Sequence, residues 1–483
     1  MGFRVQGEIR GARSLALLLA VAALAGCSGG PRSPRFSRPS ECVTPETPAV
    51  RRLRTGAADA NLVIILADAA RADHFGAFGY ERRTTPQLDK LFGEGTLFTE
   101  AYAPAADTKA SVASLFTAQF PDTHGVIGRS TGLDPNGGAT LAECMRAAGC
   151  ITAGFSANPY LSASFGFGRG FDAFHEVFRE ADIMPMGVGR VDGALVLKAA
   201  IGWLRAHQEE RFFAYLHFLE PHAPYTPPPA FRDRVDDHDT PSDSDEMLDY
   251  DANLAYVDDL AGRLLEEMDR LGLLDRSVIV FLSDHGEAFG EHGVYRHERT
   301  VYREMVHVPV AFRLPTRCRA PRQVRAEMFS LTDVLPTLLD LFQVAPPDTM
   351  QGRSRLRLLA GEGEAEPGFA VSRARGDDYT GGVERQEQVS YSLRGPEYTL
   401  LLGAGGQQVE LYHRGTDPAE HRNAAKREPQ VVNRLHRQFR SWATTQRARP
   451  PVLRGGTVFV SATKRVVVDE KTRQRLHALG YVQ

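Results

Sequence analysis

Past residue 60 the apolar and polar positions of this chain fall into two alternating patterns. Unbroken apolar runs of strand length occur at NLVIILAD (61–68), ITAGFSA (151–157), RFFAYLHF (211–218), SVIVFLSD (277–284) and VPVAFRL (308–314). Such runs suit strands buried on both faces. Between them, apolar residues recur at helical spacing in ATLAECMRAAG (139–149), GALVLKAAIGWLRAH (193–207) and YDANLAYVDDLAGRLLEEMDRLG (250–272). The alternation predicts an α/β fold with a mixed, largely parallel central sheet sandwiched by helices, over 61–345. Beyond about residue 345 come short strand-like pieces, QVSYSLRG and YTLLLG, and then the helical stretch QVVNRLHRQFRSWAT. That shift predicts a smaller C-terminal α+β domain over 346–483, an antiparallel sheet plus a helix.

The first 60 residues follow neither pattern. Arg4, Arg10 and Arg13 precede the apolar run SLALLLAVAALA (14–25), which is followed by Gly26-Cys27. A bilayer span takes about 20 apolar residues, so this shorter run reads as a secretory signal. Leu24-Ala25-Gly26-Cys27 resembles the bacterial lipobox. The resemblance implies a signal peptide over 1–27, lipidation of Cys27 and membrane attachment through that lipid. With Ser28 next, it implies the cell envelope, on the periplasmic face of the outer membrane or at the cell surface. Residues 28–60 are rich in Ser, Pro, Arg and Thr, and read as a disordered tether.

A net charge of −3, without a basic stripe interleaved with aromatics, argues against a nucleic-acid partner. Cys42, Cys144, Cys150 and Cys318 remain after Cys27; export permits disulfides, and all three pairings stay open. No Cys/His spacing suits a structural zinc site. The acidic segment RVDDHDTPSDSDEM (234–247) reads as a solvated surface excursion. Oligomeric state is not legible.

Candidate chemistry gathers where parallel strands end. In open α/β sheets functional groups lie beyond the carboxyl ends of the strands. Asp68 ends the first run and Asp284-His285 ends a later one, so two carboxylates and an imidazole would form an oxygen-rich cation site. In DTKASVASLFTAQFPDTHG (107–125), Thr108 stands where a helix should begin. A helix start offers N–H groups to an anion, and a cation touching the Thr hydroxyl would make it a nucleophile. Lys109 adds a positive charge beside it. In RFFAYLHFLEPHAPYTPP (211–228), His217 and His222 bracket a strand end and read as anion contacts or proton donors.

Taken in order, these segments resemble the sulfatase branch of the alkaline-phosphatase superfamily across nearly the whole exported chain. NLVIILADAARADHFGAFGY resembles the family's metal-bearing first strand, and DTKASVASLFTAQFPDTHGV its nucleophile signature. AYLHFLEPHAPYTPP and FLSDHGEAFGEHG resemble its substrate-histidine and second metal segments, and SLTDVLPTLLDLFQV, ELYHRGTDPAEHRNAA and the terminal RLHALGYVQ keep its order. The resemblance implies one divalent cation held by Asp68, Asp284, His285 and the nucleophile oxygen. It puts the nucleophile at Thr108, counting back from SLFTAQFPDTHG; a register with Ser111 there would set Leu115 where the signature needs Arg. Mixed oxygen and nitrogen ligation leaves Ca, Mg, Mn and Zn open.

Departures from the family pattern narrow the chemistry. Sulfatases proper carry a Cys or Ser that becomes formylglycine, a route closed to Thr108. The signature Arg is Val112, the second acid of the first strand is Ala69, and the Lys-Trp-His-Leu-Gly segment gives way to FSANPYL with Asn158. A later substrate Lys is replaced by His297. Glu220-Pro221 leads to His222, with Thr226 four residues on, which does not supply a second full metal site. These changes resemble the one-metal, Thr-nucleophile members that act on phosphate esters. The expectation is an exported, metal-dependent hydrolase of a phosphate or sulfate ester of a small molecule, glycan or lipid, working through a Thr108 adduct. His222, His297 and Lys109 are expected at the substrate. Alternatives are a true sulfuric ester hydrolase without formylglycine, a phospho-group transferase, or a catalytically decayed, lipid-anchored binding protein.

Overall fold

The computed structural model describes residues 43–128, 130–180, 191–236, 244–364, 368–376, 388–403, 408–445, 452–454, 457–459, 466 and 468–478. The signal segment with Cys27, the tether up to residue 42 with Cys42, residues 237–243 of the acidic segment and the last five residues lie outside these.

Eight strands build the central sheet: β1 (Asn61–Asp68), β2 (Thr96–Phe98), β3 (Ile151–Ser156), β4 (Ala173–Glu176), β5 (Phe212–Pro221), β6 (Ser277–Ser283), β7 (Val310–Arg313) and β8 (Gln323–Arg325). Across the sheet they lie β8-β2-β7-β6-β1-β5-β3-β4. Parallel β5 and β6 flank β1, with Ile64 opposite Tyr215 on one side and Val280 on the other. Only β7 runs antiparallel to its neighbours, so the sheet is mixed and largely parallel, as expected. Every residue of β1, β5 and β6 is buried, because helices cover both faces. The short strands β2, β4 and β8 carry too few residues to show a period and were not legible.

Four helices matter to the site and its supports: α1 (Pro48–Ala57), α2 (Thr108–Thr117), α3 (Gly193–Ala206) and α4 (Asp245–Arg270). Each starts at a side chain that accepts a free backbone N–H, from Thr47, Asp107, Asp192 and Ser244 respectively. Helix α1 corrects the tether, which composition extends to residue 60. It buries Val50, Leu53 and Ala57, and the Arg54 guanidinium meets the Asp340 carboxylate at 2.6 Å. Gly56 permits this docking, since a Cβ there would lie 2.7 Å from the Cys318 Cα. Cys144, Cys150 and Cys318 are buried free thiols. Among the described residues no helix is long and apolar enough to cross a membrane.

A second sheet follows, an antiparallel meander of β9 (Ala370–Gly376), β10 (Gln388–Arg394), β11 (Tyr398–Leu402) and β12 (Val409–His413). Helix α5 (Pro429–Thr445) covers it, packing Leu435, Phe439 and Trp442 with Val371, Tyr391 and Leu400. The main core runs past residue 345, for Leu356, Leu358 and Leu359 belong to it. Strand β9 is also stitched to the first domain. Ala106 N–H donates to the Arg373 carbonyl (3.0 Å), Arg373 N–H to Pro104 (2.9 Å), and Arg375 N–H to Glu298 (3.0 Å).

Candidate active site

The carboxyl ends of β1, β5, β6 and β3 deliver Asp68, His222, Asp284 with His285, and Asn158 to one edge of the sheet. Ligand atoms of Asp68, Asp284 and His285 all lie within 4.8 Å of one another, and the three residues are fully buried. Their surroundings fix each one. Asp68 Oδ2 accepts from Asn158 Nδ2 at 2.9 Å and lies 3.3 Å from His217 Nε2, which leaves Oδ1 turned toward His285 Nε2 at 3.4 Å. Asp284 Oδ1 accepts the N–H groups of Ala69 (3.2 Å) and His285 (3.0 Å). His285 Nδ1 donates to the Gly286 carbonyl at 2.8 Å, so Nε2 keeps its lone pair for the cluster.

This arrangement fits a divalent cation. Asp284 Oδ2 is buried without a hydrogen-bond partner among the described residues, and an orphaned carboxylate oxygen is costly unless a cation meets it. Burial and the nearby Asp68 push the Asp284 carboxyl up. Burial opposes charge on Asp68 too, but His222, His217 and His285 outweigh it and hold that carboxyl well below the usual range. Position 69, where the resemblance expects a second acid, is an alanine in the left-handed region, φ 62°. Its backbone does the bonding: the N–H reaches Asp284 and the carbonyl accepts from the Tyr250 hydroxyl at 2.8 Å.

Thr108 closes the cluster. It is the first residue of α2, not its cap; the cap is Asp107, whose side chain accepts from Ala110 N–H at 2.9 Å. That geometry frees the Thr108 hydroxyl, whose Oγ1 lies 3.1 Å from His285 Nε2 and 3.4 Å from Asp68 Oδ1. Ser111, the alternative register, instead donates its hydroxyl to the Asp284 carbonyl at 2.6 Å.

Beside Thr108 opens a cleft lined by Asp107, Lys109, Tyr160, His297, Glu298 and Arg375 among others. His297 stacks on His285 with ring centres 4.5 Å apart, and His222 lies 4.8 Å from His297. The structure thus gathers Asp68, Asp284, His285, Thr108, His222 and His297 in one place. Lys109 lines the same cleft with its ammonium turned to the wall, donating to the Thr131 carbonyl at 2.8 Å and lying over the rings of Phe165 and Tyr160. His217 sits behind Asp68, fully buried; neither it nor His222 lines the cleft, and His222 meets the cluster through the rings of His285 and His297.

Sequence reasoning missed Glu287. Fully buried, it meets His297 Nδ1 through Oε1 at 3.1 Å. Burial disfavours charge on both groups, yet each is the other's main compensation: Glu287 is held low, and His297 is pushed up to about 9. Burial instead dominates at His222, bringing it down to about 4. The available signal was the acid directly after Asp-His-Gly, two residues from a predicted ligand.

Known proteins are similar to this chain in sequence and in fold. Residues 60–344 match the sulfatase family and residues 290–445 match the family described as N-sulphoglucosamine sulphohydrolase, C-terminal. An arylsulfatase of Clostridium perfringens is 26% identical over 376 residues, covering 62% of this chain and 78% of its own. Phosphonate monoester hydrolase from Silicibacter pomeroyi shares the fold at a TM-score of 0.67 and 20% identity, over 85% of this chain and all of its own. A structure solved in complex with its substrate D-glucosamine-2-N,6-O-disulfate matches at a TM-score of 0.65 and 20% identity, over 80% of this chain and 98% of its own. The chain belongs to the sulfatase family, a family of ester hydrolases of the alkaline-phosphatase superfamily.

Proposed function

We propose that this protein hydrolyses a sulfate or phosphate ester through a covalent adduct on Thr108. The observation that carries the proposal is the placement of Thr108 Oγ1 at 3.1 Å from His285 Nε2 and 3.4 Å from Asp68 Oδ1, at the mouth of a cleft. Asp68, Asp284 and His285 are the residues that would hold a divalent cation. When bound, such an ion acidifies an adjacent hydroxyl and offsets negative charge on the group in transfer. The Thr108 hydroxyl gives its proton to solvent, and its oxygen attacks phosphorus or sulfur as the bond to the leaving oxygen breaks in line with it. His297 supplies the proton that the departing alkoxide takes up. Water then attacks the same atom, the bond to Oγ1 breaks, and Thr108 regains its proton. Lys109 adds positive charge from the cleft wall.

The family and its relatives support ester hydrolysis in general; the choice between sulfate and phosphate falls to kinetics. Parallel measurement of kcat/KM on matched aryl sulfate, phosphate and phosphonate esters tests the proposal. Turnover of at least one class, lost in T108A, supports it. Absence of turnover on all three favours a decayed site that only binds. The substrate we propose is a small-molecule or glycan ester, and a structural neighbour's complex with a sulfated glucosamine supports that class.

Attachment to the cell envelope through lipid on Cys27 is also proposed, resting on residues 14–27 alone. Export followed by release into the soluble fraction in C27S, with the wild type remaining membrane-bound, is the expected result.

A further inference from the structure

We propose that Glu287 is a positioning residue for His297: it takes the Nδ1 hydrogen and so presents Nε2 to the substrate oxygens beside Thr108. The inference rests on the proposed roles of Thr108 and His297 and deepens them.

His297 sits on a loop fixed from several sides. Its neighbours Arg296 and Glu298 both occupy the left-handed region, at φ 69° and 82°, which costs a residue with a side chain free energy and persists only where the surroundings enforce it. The enforcing contacts come from two elements. Glu298 N–H donates to the Ala106 carbonyl at 2.9 Å, just ahead of α2, and the Glu298 carbonyl accepts from Arg375 N–H on β9 at 3.0 Å. The second sheet therefore helps to hold the loop that carries His297. The ring itself lies against His285 and His222.

Backbone clamps place the ring but do not say which edge faces the ester. An ammonium group donates in three equivalent directions and needs no orienting partner. An imidazole has two distinct nitrogens, and the partner of one decides what the other can do. Glu287 makes that decision: its Oε1 is 3.1 Å from Nδ1, the carboxylate is fully buried, and the Tyr225 phenol lies beside it. With Nδ1 committed, Nε2 is left for the cleft that His297 lines with Thr108. This buried carboxylate, two residues from a candidate metal ligand, thus meets the His297 ring and the Tyr225 phenol rather than the ligand cluster.

The test is a mutant cycle on an aryl ester that the wild type turns over. E287A is expected to lower kcat about 10–100-fold, the usual range for an orienting partner, and to move KM less than about threefold. E287Q, which keeps an acceptor for the Nδ1 hydrogen, should retain most of the activity. In the H297K background, where the donor needs no orientation, E287A should cost less than about twofold, since the coupling between the two positions is gone. Histidine ¹⁵N shifts should show the His297 Nδ1 protonated and hydrogen-bonded in the wild type and in E287Q, and that signature lost in E287A. An equal loss from E287A in both backgrounds, or an unchanged His297 Nδ1 signature in E287A, overturns the positioning role. Full activity in H297A would instead overturn the reading of His297 on which it stands, so the two failures are distinguishable.

Discussion

Thr108 carries the proposed chemistry at the scale of single residues. Replacing it with Ala should lower kcat/KM by at least about 10³-fold, the range seen when a nucleophile is removed and binding is kept. The same variant should bind cation nearly as the wild type does, since Asp68, Asp284 and His285 stay in place. Metal analysis of purified T108A beside D284N checks both halves: D284N should lose the ion. A second residue-level prediction concerns His292, half-buried and 2.9 Å from Glu304. Burial opposes its charge, but Glu304 outweighs burial and pushes the imidazole up to about 9. An unfolded His titrates near 6.5, so this contact stabilises fully below about pH 6.5 and is lost as pH rises through about 9. Thermal melts across that window should fall for the wild type, and by less for H292Q. At this scale the candidate metal ligands and Thr108 were legible because each ends a strand or opens a helix, where few structural roles compete. Glu287 and Asn158 were not assigned roles, because what each does is set by a partner far along the chain.

Elements explain why the ligands meet. Parallel β1, β5 and β6 share a direction, so side chains at or just past their ends, Asp68, His222 and Asp284, converge. Helix α2 then has to start at that edge, and its Ser111 hydroxyl on the Asp284 carbonyl fixes its depth. Unbroken apolar runs made these strands readable. Helix α1 escaped because PAVRRLRTGA is polar on average, although Thr47 before Pro48 and the spacing of Val50, Leu53 and Ala57 mark a short amphipathic helix. On α5, Trp442 is the largest side chain joining the helix to the second sheet. W442A should destabilise by about 3–5 kcal/mol, the cost of emptying a large buried aromatic site, measured by denaturant unfolding.

The whole molecule is a large α/β core with a second sheet whose first strand touches both the entry to α2 and the His297 loop. That stitching was not legible, since it joins residues 104–106, 298 and 373–375 by backbone bonds that no side-chain pattern records. It ties the second sheet to the two segments that carry Thr108 and His297. A cation bound in the first domain should likewise stabilise the whole: chelation should lower Tm, and restoring the ion at 100 times its Kd should recover about 2.7 kcal/mol. The cation that restores both Tm and turnover identifies the metal among Ca, Mg, Mn and Zn.

The most direct measurement is mass spectrometry of the enzyme quenched during turnover of a fast aryl ester. A phosphoryl or sulfuryl group on the peptide containing Thr108, present in the wild type and absent in T108A, is the predicted result. A wild type that turns over while the group is found on another residue would contradict a Thr108 nucleophile.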